Sequence, residues 1–371
     1  MRIALLTNGP GELQGWARPL AAELARRGHS VTLWILPCQY ASGRERAIAG
    51  SMSVDAVIGP LPFPATLREM SRRPADVVVQ LGGDLLFGCF LSRRHGARFL
   101  CYAYGPKSGM KWCDMVATAF PYMAEKLRKR HPRVFLTGDL VRDAVGMRDA
   151  AERTDPEKRD AEMRIIVFPG SRKGIRDASL PFVKDVFRDV RKEFPDVAVR
   201  TLLFPFAERE EYARWNDAGL EPTDAPSAEA MDWADLAVTQ PGTNTLELMH
   251  RRVPFLVVAP FSFIPHIPVS GVLNVLRFLP GGERLVKWSL LKKKRAASFF
   301  SWPNRVAGRD VVREMIGDVT PEDVADALCS LIREPERRNA IRSELARLSA
   351  LGGNRASESL ADCIERLMEE R

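Results

Sequence analysis

The sequence predicts an α/β protein made of two Rossmann-like, doubly wound sheets. Three observations carry this. Short apolar, β-like runs alternate with helical periods along most of the chain, the pattern left by βαβ crossovers in parallel sheets. A polar, charge-rich stretch at 148–162, with Pro156 inside it, interrupts the alternation, which then starts again. The 371 residues also exceed what one hydrophobic core usually serves.

The first strand spans 3–7, Ile-Ala-Leu-Leu-Thr, and stops at Asn8-Gly9-Pro10, so the start reads as a strand and not as a cleavable signal peptide. A crossover helix over 16–27 follows, with Leu20, Ala21 and Leu24 on one face. Further strands are expected at 31–36, 54–58, 77–81, 99–104, 116–119 and 134–136. The run 77–81, Val-Val-Val-Gln-Leu, is nearly all apolar, as a strand covered on both faces must be. Beyond the 148–162 linker, strands are expected at 164–168, 197–204, 236–239 and 255–258, and residues 321–371 read as wholly helical. The division is therefore a first domain over 1–150, a second over 163–330 and terminal helices over 331–371. Two such halves create a cleft, and sheets of this kind bind ligands at the carboxyl ends of their strands.

Composition narrows the class. The chain is 46% hydrophobic and 27% charged, ordinary for a soluble globular protein. No apolar run reaches the roughly 18 residues of a membrane-spanning helix. Six scattered cysteines without a CxxC pair, and only five histidines, give no zinc pattern and suit reduced thiols in a cytoplasm. The net charge of +8 is concentrated. Arg284, Lys287, Lys292, Lys293, Lys294, Arg295, Arg305 and Arg309 fall in one stretch with no acidic residue among them.

Two loops in the second half carry the chemistry. Phe168-Pro169-Gly170-Ser171-Arg172 follows the run Ile165-Ile166-Val167, and Gln240-Pro241-Gly242-Thr243-Asn244-Thr245-Leu246-Glu247 follows Leu236-Ala237-Val238. Each reads as strand, glycine loop and helix start, which aims backbone N–H groups at one point and suits a phosphate. Two such loops in one domain fit a diphosphate and the sugar beside it, hence a nucleotide-sugar.

These loops, with Trp302-Pro303-Asn304-Arg305-Val306-Ala307-Gly308-Arg309 and Glu314 before the helical tail, resemble in order and spacing the signatures of bacterial lipid-A-disaccharide synthase. The resemblance is good over about 160–330 and weak before it. It implies a GT-B fold and inverting, metal-independent glycosyl transfer. The donor would be a UDP-sugar of the N-acetylglucosamine type and the acceptor a lipid-linked sugar, at the inner face of the cytoplasmic membrane. Departures fall in the first half. The family's Gly-Glu-x-Ser-Gly-Asp loop is here Asn8-Gly9-Pro10-Gly11-Glu12-Leu13-Gln14-Gly15-Trp16. Its Gly-His pair is Gly138-Asp139, and its aromatic segment is Tyr102-Ala103-Tyr104-Gly105-Pro106-Lys107-Ser108-Gly109. That half binds the acceptor in a GT-B enzyme, so the resemblance implies a kept donor side and leaves room for a different acceptor.

Roles follow from residue chemistry and the resemblance together. Gly170 and Ser171 would meet the diphosphate, with the Arg172 guanidinium offsetting charge on departing UDP. Gly242, Thr243, Asn244 and Thr245 would cradle the second phosphate, and Glu247 would accept both ribose hydroxyls. Asn304 would read uracil or a phosphate and Arg309 would add charge, although Asn304 also suits a helix N-cap. Inversion needs a base for the acceptor hydroxyl. Asp84, after Gly82-Gly83 at the end of the 77–81 strand, is the first candidate, with an N-cap as its structural alternative; Glu12 is the second. Asn8, Gly9, Gly11 and Gly15 would let the backbone approach the acceptor or donor sugar closely.

Residues 261–302 interleave Phe261, Phe263, Trp288, Phe299, Phe300 and Trp302 with the cationic run, which suits an anionic membrane surface. No nucleic-acid-binding fold accompanies that charge. Two other functions remain open: a UDP-sugar 2-epimerase or hydrolase of the same fold, and a non-catalytic, membrane-associated nucleotide-sugar binder.

Overall fold

The structure is a computed structural model that describes residues 1–38, 43–146, 163–203, 207–266 and 299–370. The chain divides into two compact units, one formed by residues 1–147 with 349–371 and the other by residues 148–348.

Unit 1 is a seven-stranded sheet in the order β3-β2-β1-β4-β5-β6-β7. Its strands are β1 (Arg2–Thr7), β2 (Ser30–Ile35), β3 (Ala56–Ile58), β4 (Val77–Leu81), β5 (Arg98–Tyr102), β6 (Met115–Thr118) and β7 (Val134–Leu136). Every pairing is parallel. The order reverses between β1 and β4, where Leu6 lies opposite Gln80. All five residues of β4 are buried, as its apolar composition requires. Helices α1 (Pro10–Glu12), α2 (Arg18–Arg26), α3 (Glu45–Ala49), α4 (Phe63–Met70), α5 (Leu86–His95), α6 (Pro121–Arg128) and α7 (Leu140–Gly146) connect the strands. The first crossover is helical from Pro10, earlier than the apolar face predicts. A π-helical turn, Leu13–Ala17, joins α1 to α2. Pro10 at the first helical position needs no N–H partner, which is why the helix starts there.

Unit 2 repeats the plan with six parallel strands in the order β10-β9-β8-β11-β12-β13. They are β8 (Arg164–Phe168), β9 (Ala198–Leu202), β10 (Pro222–Thr223), β11 (Leu236–Thr239), β12 (Phe255–Pro260) and β13 (Glu314–Gly317). Its helices are α8 (Lys173–Glu193), α9 (Arg209–Asp217), α10 (Ser227–Trp233), α11 (Asn244–His250), α12 (Trp302–Ala307) and α13 (Pro321–Arg333). One face of the sheet packs on α8 and α13 through Val186, Phe187, Val190, Val324, Leu328 and Leu331, all buried. β10 and β13 have no counterpart among the expected strands. Both are edge strands of two and four residues, too short to show a period.

The terminal helices do not form one body. α13 belongs to unit 2, whereas α14 (Pro335–Leu351) ends in unit 1 and α15 (Ala356–Glu369) lies wholly within it. α15 buries Leu360, Ile364 and Leu367 against the first unit, roughly 1.5–3 kcal/mol for each side chain taken out of water. Arg27 at the end of α2 donates to Asp362 at 2.7 Å and Glu365 at 2.8 Å. Asp143 of α7 accepts from the Ser357 N–H and hydroxyl at 2.7 and 2.6 Å. The expected linker, 148–162, lies outside the described residues. No helix among the described residues is long and apolar enough to cross a membrane.

Candidate functional site

In unit 2, β8 and β11 are neighbours with Phe168 opposite Thr239, so the two glycine loops leave the same sheet edge side by side. The side chain of Gln240 ties them together, its Nε2 donating to the Pro169 carbonyl at 2.9 Å. Gly170 sits at φ +100°, a conformation that glycine alone adopts readily. A Cβ there would come within 3.3 Å of the Gln240 Oε1. Ser171 and Arg172 are half-buried, and Arg172 is the extended residue that opens the 21-residue helix α8. A long helix starting at a glycine loop is a ready anion site. Gln240 stands at the head of this motif in the sequence but is given no role there, because a lone glutamine after a strand carries no pattern.

Gly242 and Pro241 are exposed and Thr243 and Asn244 half-buried, at the start of the seven-residue helix α11. Thr245 is not presented to a ligand. It is fully buried, its hydroxyl donates to the Gly242 carbonyl at 2.8 Å, and it accepts the Trp302 N–H at 3.2 Å. Glu247 keeps some exposed surface, yet enough protein packs around its carboxyl for burial to raise its pKa above the usual range. A hydrogen bond from Ser227 opposes that shift.

Asn304 is likewise turned inward. Its Oδ1 accepts the N–H groups of Val311 and Val312 at 2.8 and 3.0 Å. Its Nδ2 donates to the Val312 carbonyl at 2.9 Å and to Glu314 at 3.0 Å. The amide has no capacity left for uracil or phosphate, so this residue brackets the chain between α12 and β13 instead of reading a base. Glu314 completes the bracket by accepting the Ser301 N–H at 2.8 Å and hydroxyl at 2.6 Å. Arg309 is exposed and paired with Glu344 at 2.6 Å.

Unit 1 has its own loop pair at the carboxyl ends of β1 and β4. Glu12 folds back so that its Oε2 accepts the Gly9 N–H at 3.0 Å. Its carboxyl lies over the two-glycine loop. A Cβ on Gly82 would meet Glu12 Oε1 at 2.7 Å, and one on Gly83 would meet Asn8 Oδ1 at 2.4 Å. Both glycines have positive φ, +69° and +64°. Only glycine satisfies backbone and space together there. Burial is the largest influence on Glu12 and raises its pKa, against the Gly9 N–H, the Lys107 charge and the Asn8 backbone, which lower it.

Asp84 differs. It is exposed, and its Oδ1 accepts the Leu86 N–H at 3.1 Å, capping the entry to α5. Gln80, fully buried, holds this loop by donating to the carbonyls of Gly82 and Asp84 at 3.1 and 2.5 Å. Gly11 is half-buried within α1. Gly15 serves packing, not ligand approach. It is buried in the π-helical turn, where a Cβ would press on Val141 Cγ2 of α7 at 3.1 Å.

The three departures in this half touch one another. Trp16 Nε1 donates to the Tyr104 hydroxyl at 3.0 Å, which donates to Asp139 Oδ1 at 2.5 Å. Asp139 is fully buried and also accepts the Val141 N–H at 3.0 Å. Tyr102 and Tyr104 have their pKa values raised well above the ordinary value, first by burial and then by the Asp139 charge, so both phenols stay neutral donors. The segment 261–302, read as the membrane-facing stretch, lies outside the described residues over 267–298.

Two doubly wound parallel units, each with glycine loops where its sheet order reverses, place the chain in the GT-B class of folds. The family model for lipid-A-disaccharide synthetase matches residues 106–276 of this chain. The match starts well before the point where the motifs made the resemblance visible and ends before Trp302. The lipid-A-disaccharide synthase of Azotobacter vinelandii (strain DJ) is 29% identical over 275 residues, 68% of this chain and 64% of that protein. The synthase of Enterobacter sp. (strain 638) is 25% identical over 269 residues, covering 69% and 63%. The chain thus spans a little under two thirds of these relatives' length. Among solved structures, UDP-GlcNAc 2-epimerase from Neisseria meningitidis bound to UDP-GlcNAc aligns over 99% of this chain and 100% of its own, with TM-score 0.63 and 12% identity. Acinetobacter baumannii MurG aligns over 98% and 99%, with TM-score 0.57 and 16% identity. At these identities the likeness is one of fold.

Proposed function

We propose that the protein is an inverting glycosyltransferase that moves a sugar, of the N-acetylglucosamine type, from UDP to a lipid-linked acceptor. The observation that carries this is the pair of glycine loops tied by Gln240 at one sheet edge of unit 2, with Arg172 on the first of them. The relationship to lipid-A-disaccharide synthases supports the donor and the lipid-linked acceptor. In this reading an acceptor hydroxyl oxygen attacks the anomeric carbon, its proton passes to a carboxylate, and the bond from that carbon to the β-phosphate oxygen breaks. The negative charge that develops on UDP is met by loop N–H groups and Arg172 in place of a metal. Glu12 and Asp84 are the candidates for the base. Glu12 suits it better than Asp84, because a carboxyl lifted by burial takes a proton more readily near neutral pH, whereas Asp84 caps a helix. The enzyme would work in the cytoplasm, peripherally at the inner membrane face.

An epimerase reading gains little from three of the described histidines. The rings of His29, His95 and His131 bond to Glu365, the Met70 carbonyl and the Cys113 carbonyl respectively.

Calorimetric titration with UDP and UDP-N-acetylglucosamine in EDTA, for wild type and Arg172→Ala, tests the donor site. Micromolar binding that weakens in the variant is expected; no binding of either ligand removes the proposal. With a competent acceptor, Glu12→Gln should abolish turnover, and in wild type the rate should fall as pH drops through the raised Glu12 pKa. Loss in Asp84→Asn with full activity in Glu12→Gln would reverse the assignment. Unaltered UDP binding with no product from any lipid acceptor would favour a non-catalytic binder.

A further inference from the structure

An ion pair behind the Gly170 loop has no part in the chemistry above. Arg176, in the first turn of α8, and Glu211 of α9 have side chains only 2% and 4% exposed. Nε and Nη2 of Arg176 donate to the two Glu211 oxygens at 2.7 and 2.9 Å, a two-point fork. The remaining guanidinium nitrogen, Nη1, donates to the Ser171 carbonyl at 2.7 Å. Desolvating two charges offsets most of what such a pair gains, and an apolar pair of similar volume often serves stability as well. The third contact gives the pair a different use.

A trans peptide is planar, with its C=O and N–H pointing in opposite directions. Holding the Ser171 oxygen against Arg176 therefore turns the N–H of the same peptide, that of Arg172, the other way. Glu211 in turn fixes the guanidinium, since a fork accepted by both carboxylate oxygens leaves the arginine one orientation. On the same loop, Gln240 holds the preceding Pro169 carbonyl. Side chains from three elements thus set the Pro169–Gly170 and Ser171–Arg172 peptides of this loop.

We propose that Arg176 and Glu211 are positioning residues for the diphosphate of a nucleoside diphosphate ligand. They touch no ligand. They act through the Ser171–Arg172 peptide, whose N–H they aim at the anion, and so govern phosphate recognition without governing nucleoside recognition. The inference rests on the donor reading of unit 2.

The test is to measure affinities of the full chain for UDP and for uridine, with thermal melting, for wild type, Arg176→Lys and the double variant Arg176→Met/Glu211→Leu. Lysine cannot fork to Glu211 and reach Ser171 at once. The double variant removes the clamp without leaving a buried charge, so it guards against a result that merely reports unfolding. The expected result is UDP affinity about tenfold weaker or worse in both, the scale of one lost anchored hydrogen bond to a charged group, with uridine affinity unchanged. A folded double variant with wild-type UDP affinity would overturn the proposal, as would equal losses for UDP and uridine. Wild-type protein that fails to bind UDP would instead overturn the donor reading, and this inference with it.

Discussion

Asn304 offers a sharp test of the distinction between a side chain that holds the fold and one that holds a ligand. Replacing it by alanine removes four hydrogen bonds, two accepted from Val311 and Val312 and two donated to Val312 and Glu314. At about 1 kcal/mol each the loss is about 4 kcal/mol, and more if the vacated backbone groups find no water. For a unit of some 200 residues that corresponds to a melting temperature lower by about 8–16 °C. Below that melt UDP affinity should be unchanged. Asn304→Asp adds a pH signature. The new carboxylate can still accept from Val311 and Val312, but it faces Glu314 at the 3.0 Å now bridged by a donated hydrogen bond. Two like charges so close raise a carboxyl pKa above its unfolded value. The folded state then binds more protons than the unfolded one, so this variant should gain stability as pH falls and lose it as pH rises through the raised value. Differential scanning calorimetry across pH 4 to 8, about the carboxylate and neutral range, reads both effects. An Asn304→Ala protein that melts like wild type yet binds UDP poorly would refute the bracket and restore the nucleotide-reading role.

Three further outcomes are expected. Gly82→Ala drives a Cβ to 2.7 Å from Glu12 Oε1 and 2.8 Å from the Trp16 ring at φ +69°, so turnover should fall by about 100-fold or more while UDP affinity, a property of unit 2, is kept. Tyr104→Phe and Asp139→Asn should each destabilise unit 1 by about 1–3 kcal/mol, and a double-mutant cycle monitored by urea unfolding should find them coupled, since they share one short bond. Glu23 is held at about 2, first by the hydrogen bond from Arg26 and further by Arg27. The stability it confers is present above its unfolded pKa, about 4.5, and is lost as pH falls toward about 2. Arg26→Ala should flatten that part of the acid-unfolding profile.

How much of this the sequence discloses depends on the range of the interaction. Strands such as 77–81 and 236–239 are visible because a central parallel strand is buried on both faces and must be largely apolar. β13 escapes because Glu314–Gly317 is an edge strand whose first residue, Glu314, is committed to the Ser301 bracket. The glycine loops are legible because φ and close approach restrict residue choice, as at Gly82, Gly83 and Gly170. What those loops do with their neighbours is not legible. Gln240 reaches Pro169 across 71 positions and Arg176 reaches Glu211 across 35, and neither spacing has a signature. Tyr104 and Asp139 stand out separately as departures from a family pattern; that they bond to each other is visible only in three dimensions. Asn304 and Thr245 show the opposite failure, polar residues in a suggestive motif whose hydrogen bonds are spent on the backbone.

The placement of α15 bears on how the protein is made. Because this helix supplies a wall of unit 1, the whole of unit 2 is in effect an insertion between two pieces of its neighbour. On the ribosome the sheet of unit 1 emerges first, yet the face formed by α2 and α7 must wait until some 200 intervening residues have followed before Leu360, Ile364 and Leu367 can cover it. Unit 2, contiguous in sequence, can close its own core during that interval. The later unit is thus the one free to mature first, and the earlier one carries an open apolar seam in the nascent chain, where a chaperone would find its foothold.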